Sequence, residues 1–155
     1  DPNQKHEVRS LIENLSADKA IIISTHILEE VDAVCSTAVI IAKGKILFSG
    51  TPTQLAGRSV YHNAVNISVS NKDADSVTQA LTNIEKVAGV ETSSIDSDNQ
   101  MLTVIAKDNT SVVDEVRASL TTGGWSSSQL FIESGRLDEV FRSITTTSAG
   151  EDART

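Results

Sequence analysis

The feature of this sequence that most restricts its fold is an uninterrupted apolar run, AIII at residues 20–23, that leads directly into Ser24-Thr25-His26. Three consecutive isoleucines favour an extended strand, and a run without polar alternation indicates burial on both faces. Strands of that kind occur in parallel sheets that helices cover on both sides. The sequence therefore predicts a strand over residues 19–24 in an α/β arrangement, with a histidine at its carboxyl end.

Amphipathic segments flank this predicted strand. Residues 4–15 place apolar side chains at i, i+3, i+4 and i+7, which is the pattern of a helix with one buried face. Residues 27–35 repeat the pattern over a shorter length. The first part of the chain therefore reads as helix, strand, helix.

A hairpin and a short helix are predicted next. Two short apolar segments, at residues 37–42 and 45–49, are joined by Lys43-Gly44, and so tight a link is typical of a β-hairpin. Residues 51–57 then begin with a threonine and a proline and end with a glycine, which are start and stop signals of a short helix.

The pattern changes near residue 58. Residues 65–70 alternate apolar and polar side chains, as in a strand with one solvated face. The segments that follow are predicted as helices at 73–86 and 111–121 and strands at 88–95, 101–107 and 125–133. This β-α-β-β-α-β order is that of a ferredoxin-like domain, in which two helices cover one face of an antiparallel sheet.

A last amphipathic segment closes the chain, with Leu137, Val140, Phe141 and Ile144 on one face. We therefore expect α/β plus α+β architecture in two domains. Residues 1–58 form the first and residues 59–146 form a ferredoxin-like domain with a closing helix. Residues 147–155 are small and polar, and we expect a disordered tail there.

Charge is distributed unevenly along the chain. Residues 1–58 carry six Lys and Arg against seven Asp and Glu, whereas residues 59–155 carry seven against fourteen. An acidic second half without a basic face argues against nucleic acid and anionic membrane surfaces as direct partners.

The cysteine content bears on the redox compartment, and the length of the apolar runs bears on membrane insertion. Cys35 is the single cysteine, which excludes an intramolecular disulfide and is compatible with a reducing compartment. It falls at an apolar position of a predicted helix, where a small buried core residue is the simpler interpretation. The longest apolar run, AVIIA at residues 38–42, has five residues, so we expect no insertion into a membrane.

The position of His26 has two interpretations. The carboxyl end of a buried parallel strand points into the crevice where open α/β sheets hold ligands, and the adjacent helix N-terminus favours anions. A histidine there can donate a hydrogen bond to a phosphate oxygen. The alternative is a helix-entry histidine that serves only its own backbone neighbourhood, and spacing alone leaves both open.

Five short strings carry the most specific information in the chain. They are Asp1-Pro2-Asn3-Gln4, Ser24-Thr25-His26, Glu29-Glu30-Val31, Gly44-Lys45-Ile46 and Gly50-Thr51-Pro52. In this order they resemble the C-terminal third of the nucleotide-binding domain of ATP-binding cassette (ABC) transporters, over residues 1–57. Leu137-Asp138-Glu139-Val140-Phe141 is similar to the ending of the appended domain in ABC-2 type exporters of the gliding-motility and drug-resistance group.

The resemblance implies roles for two residues. His26 matches the H-loop histidine, a switch that reads the γ-phosphate, and Asp1 matches the D-loop aspartate that communicates across a dimer. An intact subunit would bind Mg-ATP between two copies and energise export through a membrane-spanning partner subunit. The resemblance also implies a cytoplasmic location, peripheral to the inner face of the cell membrane, and leaves the transported substrate open.

The sequence also departs from that family. It contains no G-x-x-x-x-G-K-[ST] and no LSGGQ-type signature, and its only Gly-Lys pair, Gly44-Lys45, falls in the predicted hairpin. The sole methionine is Met101, so we expect a fragment whose Walker B strand would precede Asp1. We expect this chain to be catalytically silent, with no cofactor and no metal of its own, because Mg-ATP would lack its phosphate cradle and metal ligands.

Other polar residues carry weaker signals. His6 lies on the polar side of a helix, and His62 begins a strand without ligating neighbours. Asp96, Asp98 and Asp108 lack the glycine and glutamate that a Ca²⁺ loop requires, which favours a solvated turn. None of them predicts a metal site.

Three hypotheses follow. The chain is the C-terminal part of an ABC exporter ATPase subunit; or residues 60–146 are an autonomous ferredoxin-like module that binds a small ligand or a partner protein, or forms a homodimer. In a third hypothesis, residues 1–57 lack strands to pair with, expose apolar faces, and rearrange or aggregate.

Overall fold

The computed structural model describes the backbone of residues 2–151 and the side chains of residues 4–146. Over this part of the chain the fold is mixed α and β, with two antiparallel sheets and six α-helices. It divides into two compact units. Unit 1 contains the residues up to Leu55 together with the segment from Leu137 onward, and unit 2 is Ala56–Arg136.

Unit 1 consists of four helices and a two-stranded sheet. Its elements in chain order are α1 (Pro2–Ser16), α2 (Leu28–Val34), β1 (Ala38–Ala42), β2 (Lys45–Gly50), α3 (Pro52–Ala56, which ends at the first residue of unit 2) and α6 (Leu137–Glu151). The two strands pair antiparallel, with a register irregularity between Ile40 and Ile41.

The hairpin forms where the sequence predicts it. Ala42 pairs with Lys45, which leaves Lys43 and Gly44 as a two-residue loop. Both loop residues have positive φ, 49° and 73°, as hairpin turns that match the right-handed twist of the strands require. Glycine reaches this conformation without steric cost, which explains its presence at the second position.

A reciprocal capping box begins α3. The backbone N–H of Gln54 donates to Thr51 Oγ1 at 3.1 Å, and the backbone N–H of Thr51 donates to Gln54 Oε1 at 2.9 Å. Pro52 occupies the first helical position, where its missing N–H costs no hydrogen bond. These contacts fix the direction in which the chain leaves the hairpin.

The core of unit 1 draws on both ends of the chain. Its buried side chains come from β1, β2, α3 and α6, and they are Ala38, Ile40, Phe48, Leu55 and Val140. The sequence pattern places this last helix in the same domain as the ferredoxin-like segments, residues 59–146. In the structure the helix packs within unit 1 and continues to Glu151. The helix packs there because its apolar face, which includes Leu137 and Ile144, contacts the buried cluster of unit 1.

The strand predicted over residues 19–24 is not formed. These residues have no regular hydrogen-bonded structure, and the side chain of Ile22 is 97% exposed. A strand buried on both faces needs neighbouring strands and covering helices. The only sheet found among the described residues of unit 1 is the β1–β2 hairpin, so the isoleucine run has no strand to pair with.

Unit 2 is a four-stranded antiparallel sheet with two helices. Its elements are β3 (Val65–Ser70), α4 (Ala74–Thr82), β4 (Val87–Ser94), β5 (Asn99–Ala106), α5 (Val113–Gly123) and β6 (Leu130–Ile132). The strand order across the sheet is β4-β5-β3-β6, and every neighbouring pair is antiparallel. The β-α-β-β-α-β order that the sequence predicts is therefore observed.

One face of this sheet carries the apolar core. Val65, Ile67 and Val69 from β3 pack with residues of β5 and of the two helices, and all three are almost completely buried. The single tryptophan, Trp125, packs against the same core. It lies outside a strand, because the strand predicted over residues 125–133 is reduced to β6.

The other face of β3 was predicted to be solvated, and this is wrong. Asn66 is 3% exposed and Ser68 is 4% exposed, so both are nearly as buried as the core residue Ile67 between them. Polar contacts account for their burial: Ser128 Oγ lies 3.1 Å from Ser68 Oγ, and Asn66 bonds to Thr103 and Glu133. Both faces of β3 are therefore covered.

Candidate functional site

His26 lies on a bend between the irregular segment of residues 20–25 and α2. Its side chain is exposed, and it makes no hydrogen bond or ion pair with any side chain that the structure describes. It does not lie at the end of a buried strand, because that strand is absent. The imidazole is accessible to a ligand but is not held in one orientation by its surroundings.

Thr25 shapes the corner in which His26 lies. Its hydroxyl accepts a hydrogen bond from the backbone N–H of Ile27 at 3.0 Å and donates to Glu30 Oε2 at 3.4 Å. Ile27 precedes the first turn of α2 and has no side-chain cap of its own. Glu29 and Glu30 lie in that turn, where the helix dipole favours carboxylates. The two carboxylates therefore place negative charge in the first turn of the helix that follows His26.

The remaining elements of a nucleotide site are not assembled. Asp1, the expected D-loop residue, lies outside the described residues. Gly44-Lys45 is part of the β1–β2 hairpin and does not form a loop before a helix N-terminus. Of the two site residues that the sequence predicts, the structure therefore describes only His26.

An apolar groove lies beside this corner, between α1, α2 and the isoleucine run. Its volume is about 360 Å³, and Val8, Ile12, Ile23 and Val34 supply its apolar lining. Val8 remains 55% exposed, so the apolar face of α1 is only partly covered. This exposure is what the third hypothesis expects of residues 1–57.

Unit 2 contains a polar network that the sequence does not predict. Thr103 Oγ1 donates to Asn66 Oδ1 at 2.6 Å, and Asn66 Nδ2 donates to Glu133 Oε1 at 2.8 Å. Arg136 binds the Glu133 carboxylate with two nitrogens, at 2.8 and 2.7 Å. The Arg136 guanidinium also lies 3.6 Å from the ring centre of Tyr61, a cation–π distance.

The charges in this network stabilise each other. The hydrogen bonds from Arg136 hold the pKa of Glu133 below its ordinary value, and the bond from Asn66 adds to the effect. The same pair raises the pKa of Arg136. Tyr61 extends the network to the edge strand by donating to Glu91 Oε1 at 2.9 Å. The arrangement keeps both charges in place and satisfies the buried amide of Asn66.

A shallow cleft of about 370 Å³ lies at one end of the unit 2 sheet. Val60, Ala88 and Ile105 supply its apolar part, and Lys107, Asp108 and Asn109 its polar end. It adjoins the bulge at Ala88, where the pairing of β4 and β5 shifts by one residue. The cleft is open to solvent, and its lining is partly apolar and partly polar.

The other polar residues that the sequence singles out do not form a site. Some of them make local structural contacts, and for the rest the structure shows no contact. Asp96 Oδ1 accepts backbone N–H bonds from Asp98 and Asn99, both at 2.8 Å, which lowers the pKa of Asp96. His62 Nδ1 lies 2.6 Å from the carbonyl oxygen of Ser134, and His6 is exposed. Asp96 and Asp98 therefore belong to the turn between β4 and β5.

Two kinds of feature are absent from the described residues. No group of three or more His, Cys, Asp or Glu side chains lies close enough to hold a metal ion there. Within the same part of the chain, no helix has both the length and the apolar content needed to cross a membrane.

The network escaped sequence reasoning because its members are far apart along the chain. Thr103 is 37 residues from Asn66, and Glu133 is 67 residues from it. The one local signal is the Glu133 and Arg136 pair, at a spacing of three residues. Such a pair on its own is indistinguishable from an ordinary surface contact.

Comparison with known proteins shows a partial similarity. No protein-family profile matches the chain. ABC transporter A family member 11 of Dictyostelium discoideum is 40% identical to it over 55 residues. The match covers 36% of this chain and 7% of that protein. It supports an ABC-transporter-related region within the chain, and it does not extend to the type of transporter.

Proposed function

We propose that residues 1–57 are the C-terminal part of the nucleotide-binding domain of an ABC transporter ATPase subunit, of the ABC-2 exporter type. In the intact subunit His26 is the γ-phosphate switch and Asp1 the D-loop residue. The partners are a membrane-spanning subunit and a second ATPase subunit, at the cytoplasmic face of the membrane. Unit 2 is an accessory domain of this subunit.

The observation that carries the proposal is the 40% identity over 55 residues to an ABC transporter A family member. The five strings from Asp1 to Pro52 support it through their combination and order, although no single one of them is specific. The exposed groove and the unpaired isoleucine run also agree with it, because a piece of a larger α/β domain leaves such surfaces uncovered.

Mg-ATP does not fit the residues of this chain as a complete site. The sequence has no phosphate-binding G-x-x-x-x-G-K-[ST] loop. The described side chains offer no carboxylate cluster for the metal, and the helix that follows the exposed His26 begins with two carboxylates, Glu29 and Glu30. We therefore propose that the chain alone neither binds nor hydrolyses ATP.

The coding sequence that precedes the Asp1 codon tests the assignment. We expect it to encode a G-x-x-x-x-G-K-[ST] loop, an LSGGQ-like signature and an apolar strand that ends in Asp-Glu, in that order. An initiation codon immediately before Asp1, or an upstream region without these motifs, would contradict the proposal.

A second candidate function rests on unit 2. The β4-β5-β3-β6 order supports a ferredoxin-like assignment, because α4 and α5 each connect two parallel strands that have an antiparallel strand between them. Such a module can act in regulation or dimerisation, and the cleft near Ala88 offers space for a small ligand. This alternative does not require residues 1–57 to contact nucleotide.

Sedimentation equilibrium of the full chain, combined with a fragment screen by NMR, distinguishes the alternative. A regulatory module predicts either a dimer or amide shift changes clustered around Ala88 and Asn109. A monomer without such changes leaves unit 2 as a passive accessory domain and rejects the second candidate.

A further inference from the structure

The chain passes between the two units twice. It leaves unit 1 after Leu55 and returns to it at Leu137, so unit 2 is an insertion within unit 1. About 80 residues therefore separate two segments that must come together, and closing so long a loop has an appreciable entropic cost. Something in the structure must hold the two crossings close to each other.

The crossings are fastened together inside unit 2. Glycine at position 135 has φ of +118°, and a Cβ added there would overlap the backbone of Ala56. The Arg136 guanidinium lies on the Tyr61 ring, 3.6 Å from its centre, while it binds Glu133 with two nitrogens. We name these five residues, Ala56, Tyr61, Glu133, Gly135 and Arg136, the crossing clasp.

Backbone hydrogen bonds reinforce the crossing clasp. The N–H of Asn63 donates to the carbonyl of Glu133 at 3.0 Å, and the N–H of Glu133 donates to the carbonyl of Ala64 at 2.9 Å. The segment that enters unit 2 and the segment that leaves it are thus paired like two neighbouring strands. Unit 2 holds its own ends together without help from unit 1.

Unit 1 has no equivalent independence. Its core contains Leu55 from before the insertion and Val140 from after it, each 1% exposed. Leu137 and Ile144 pack against the same cluster. The core is therefore complete only when the ends of unit 2 are held together.

We infer that the crossing clasp makes the folding of unit 1 conditional on unit 2, and that the reverse dependence is absent. When the clasp is closed, the two ends of roughly 80 residues are held close together instead of being joined by a flexible loop. This lowers the entropic cost of packing α6 into the core of unit 1. Opening the clasp releases α6 from the core of unit 1. Any ligand or partner that alters the clasp can thereby loosen unit 1, independently of whether unit 1 is ABC-related.

Hydrogen exchange of the full chain, resolved by mass spectrometry, tests this device. In Arg136→Ala we expect exchange to become faster by about tenfold or more in α3, α6 and the β1–β2 hairpin, while β3, β5 and α4 stay protected. Arg142→Ala is the matched control, because Arg142 pairs with Asp138 on the exposed side of α6 and is not part of the clasp. We expect it to change exchange by less than about twofold.

Two further variants make the result decisive. Arg136→Lys keeps the charge but loses the two-nitrogen contact, and we expect acceleration in unit 1 between wild type and Arg136→Ala. Phe48→Ala opens a cavity in the unit 1 core, and we expect faster exchange there with an unchanged unit 2 sheet. If both Arg136 variants accelerate only unit 2, or if Phe48→Ala accelerates β3 and β5 as strongly as unit 1, the inference is overturned.

Discussion

At the scale of single residues, the buried pair of Asn66 and Thr103 shows how polar side chains become part of a core. Thr103 is 6% exposed and Asn66 is 3% exposed, and the hydrogen bond between them spans 2.6 Å. A buried amide without partners is costly, so each bond that satisfies it contributes to stability. The pair joins neighbouring strands, β3 and β5, on the face opposite the apolar core.

Thr103→Val removes this bond while preserving the shape of the side chain. Asn66 Oδ1 then loses the donor from Thr103, and we expect the free energy of unfolding to fall by about 1–3 kcal/mol. Urea denaturation followed by fluorescence measures the change. Thr92→Val, at an exposed position of β4, is the control and should stay within about 0.5 kcal/mol of wild type.

The ion pair of Glu133 and Arg136 makes stability depend on pH. Because Arg136 holds the pKa of Glu133 below its ordinary value of 4.5, the pair stabilises the fold above that pH and loses its effect as the pH falls below it. We expect Glu133→Gln to be less stable than wild type at pH 7, and the difference to shrink towards pH 3, roughly. Partial exposure keeps the effect to about 1 kcal/mol or less.

Urea denaturation at a series of pH values measures this dependence. Asp138→Asn serves as the control, because the Asp138–Arg142 pair is exposed on both sides. A difference between Glu133→Gln and wild type that is constant from acid to neutral pH would show that the ion pair does not govern the pH dependence.

At the scale of elements, the isoleucine run is the clearest case in which a strand pattern yields no strand. Since Ile22 is 97% exposed, Ile22→Ser should change the free energy of unfolding by less than about 0.5 kcal/mol. A strand buried on both faces would instead lose several kilocalories per mole, because a polar group would replace a core side chain.

Ile40→Ser is the matched comparison, because Ile40 is 6% exposed in the unit 1 core. We expect a destabilisation of about 2–5 kcal/mol from this change. Urea denaturation followed by far-UV circular dichroism, which detects the helices of unit 1, measures both variants. Equal destabilisation by the two substitutions would mean that Ile22 is buried in solution and that the strand forms.

Local signals explain which elements the sequence predicts well. The hairpin loop at Lys43-Gly44 and the capping box at Thr51 depend on neighbouring residues only, and both are observed. The run at residues 20–23 and the polar face of β3 depend on what covers them, which no local pattern reveals. For the same reason, spacing could place His26 before a helix but could not supply its surroundings.

At the scale of the whole molecule, the two units differ in the size of their cores. Unit 2 buries apolar residues from three strands and two helices, whereas the unit 1 core has few fully buried side chains. We expect unit 1 to unfold at lower urea concentration than unit 2. Trp125 packs against the core of unit 2, so its fluorescence reports that unit alone.

Far-UV circular dichroism, in contrast, detects helices of both units. We expect the dichroism signal to begin its loss before tryptophan fluorescence changes, with a final phase that coincides with fluorescence. Coincident single transitions by the two probes would show that the units unfold together.

In the function proposed above, this chain carries an ABC-related region without a nucleotide site of its own. Isothermal titration of the full chain with ATP in the presence of Mg²⁺ tests it most directly, with His26→Ala measured in parallel. We expect no saturable heat for either protein. Saturable binding with a Kd in the micromolar range, weakened by His26→Ala, would contradict it.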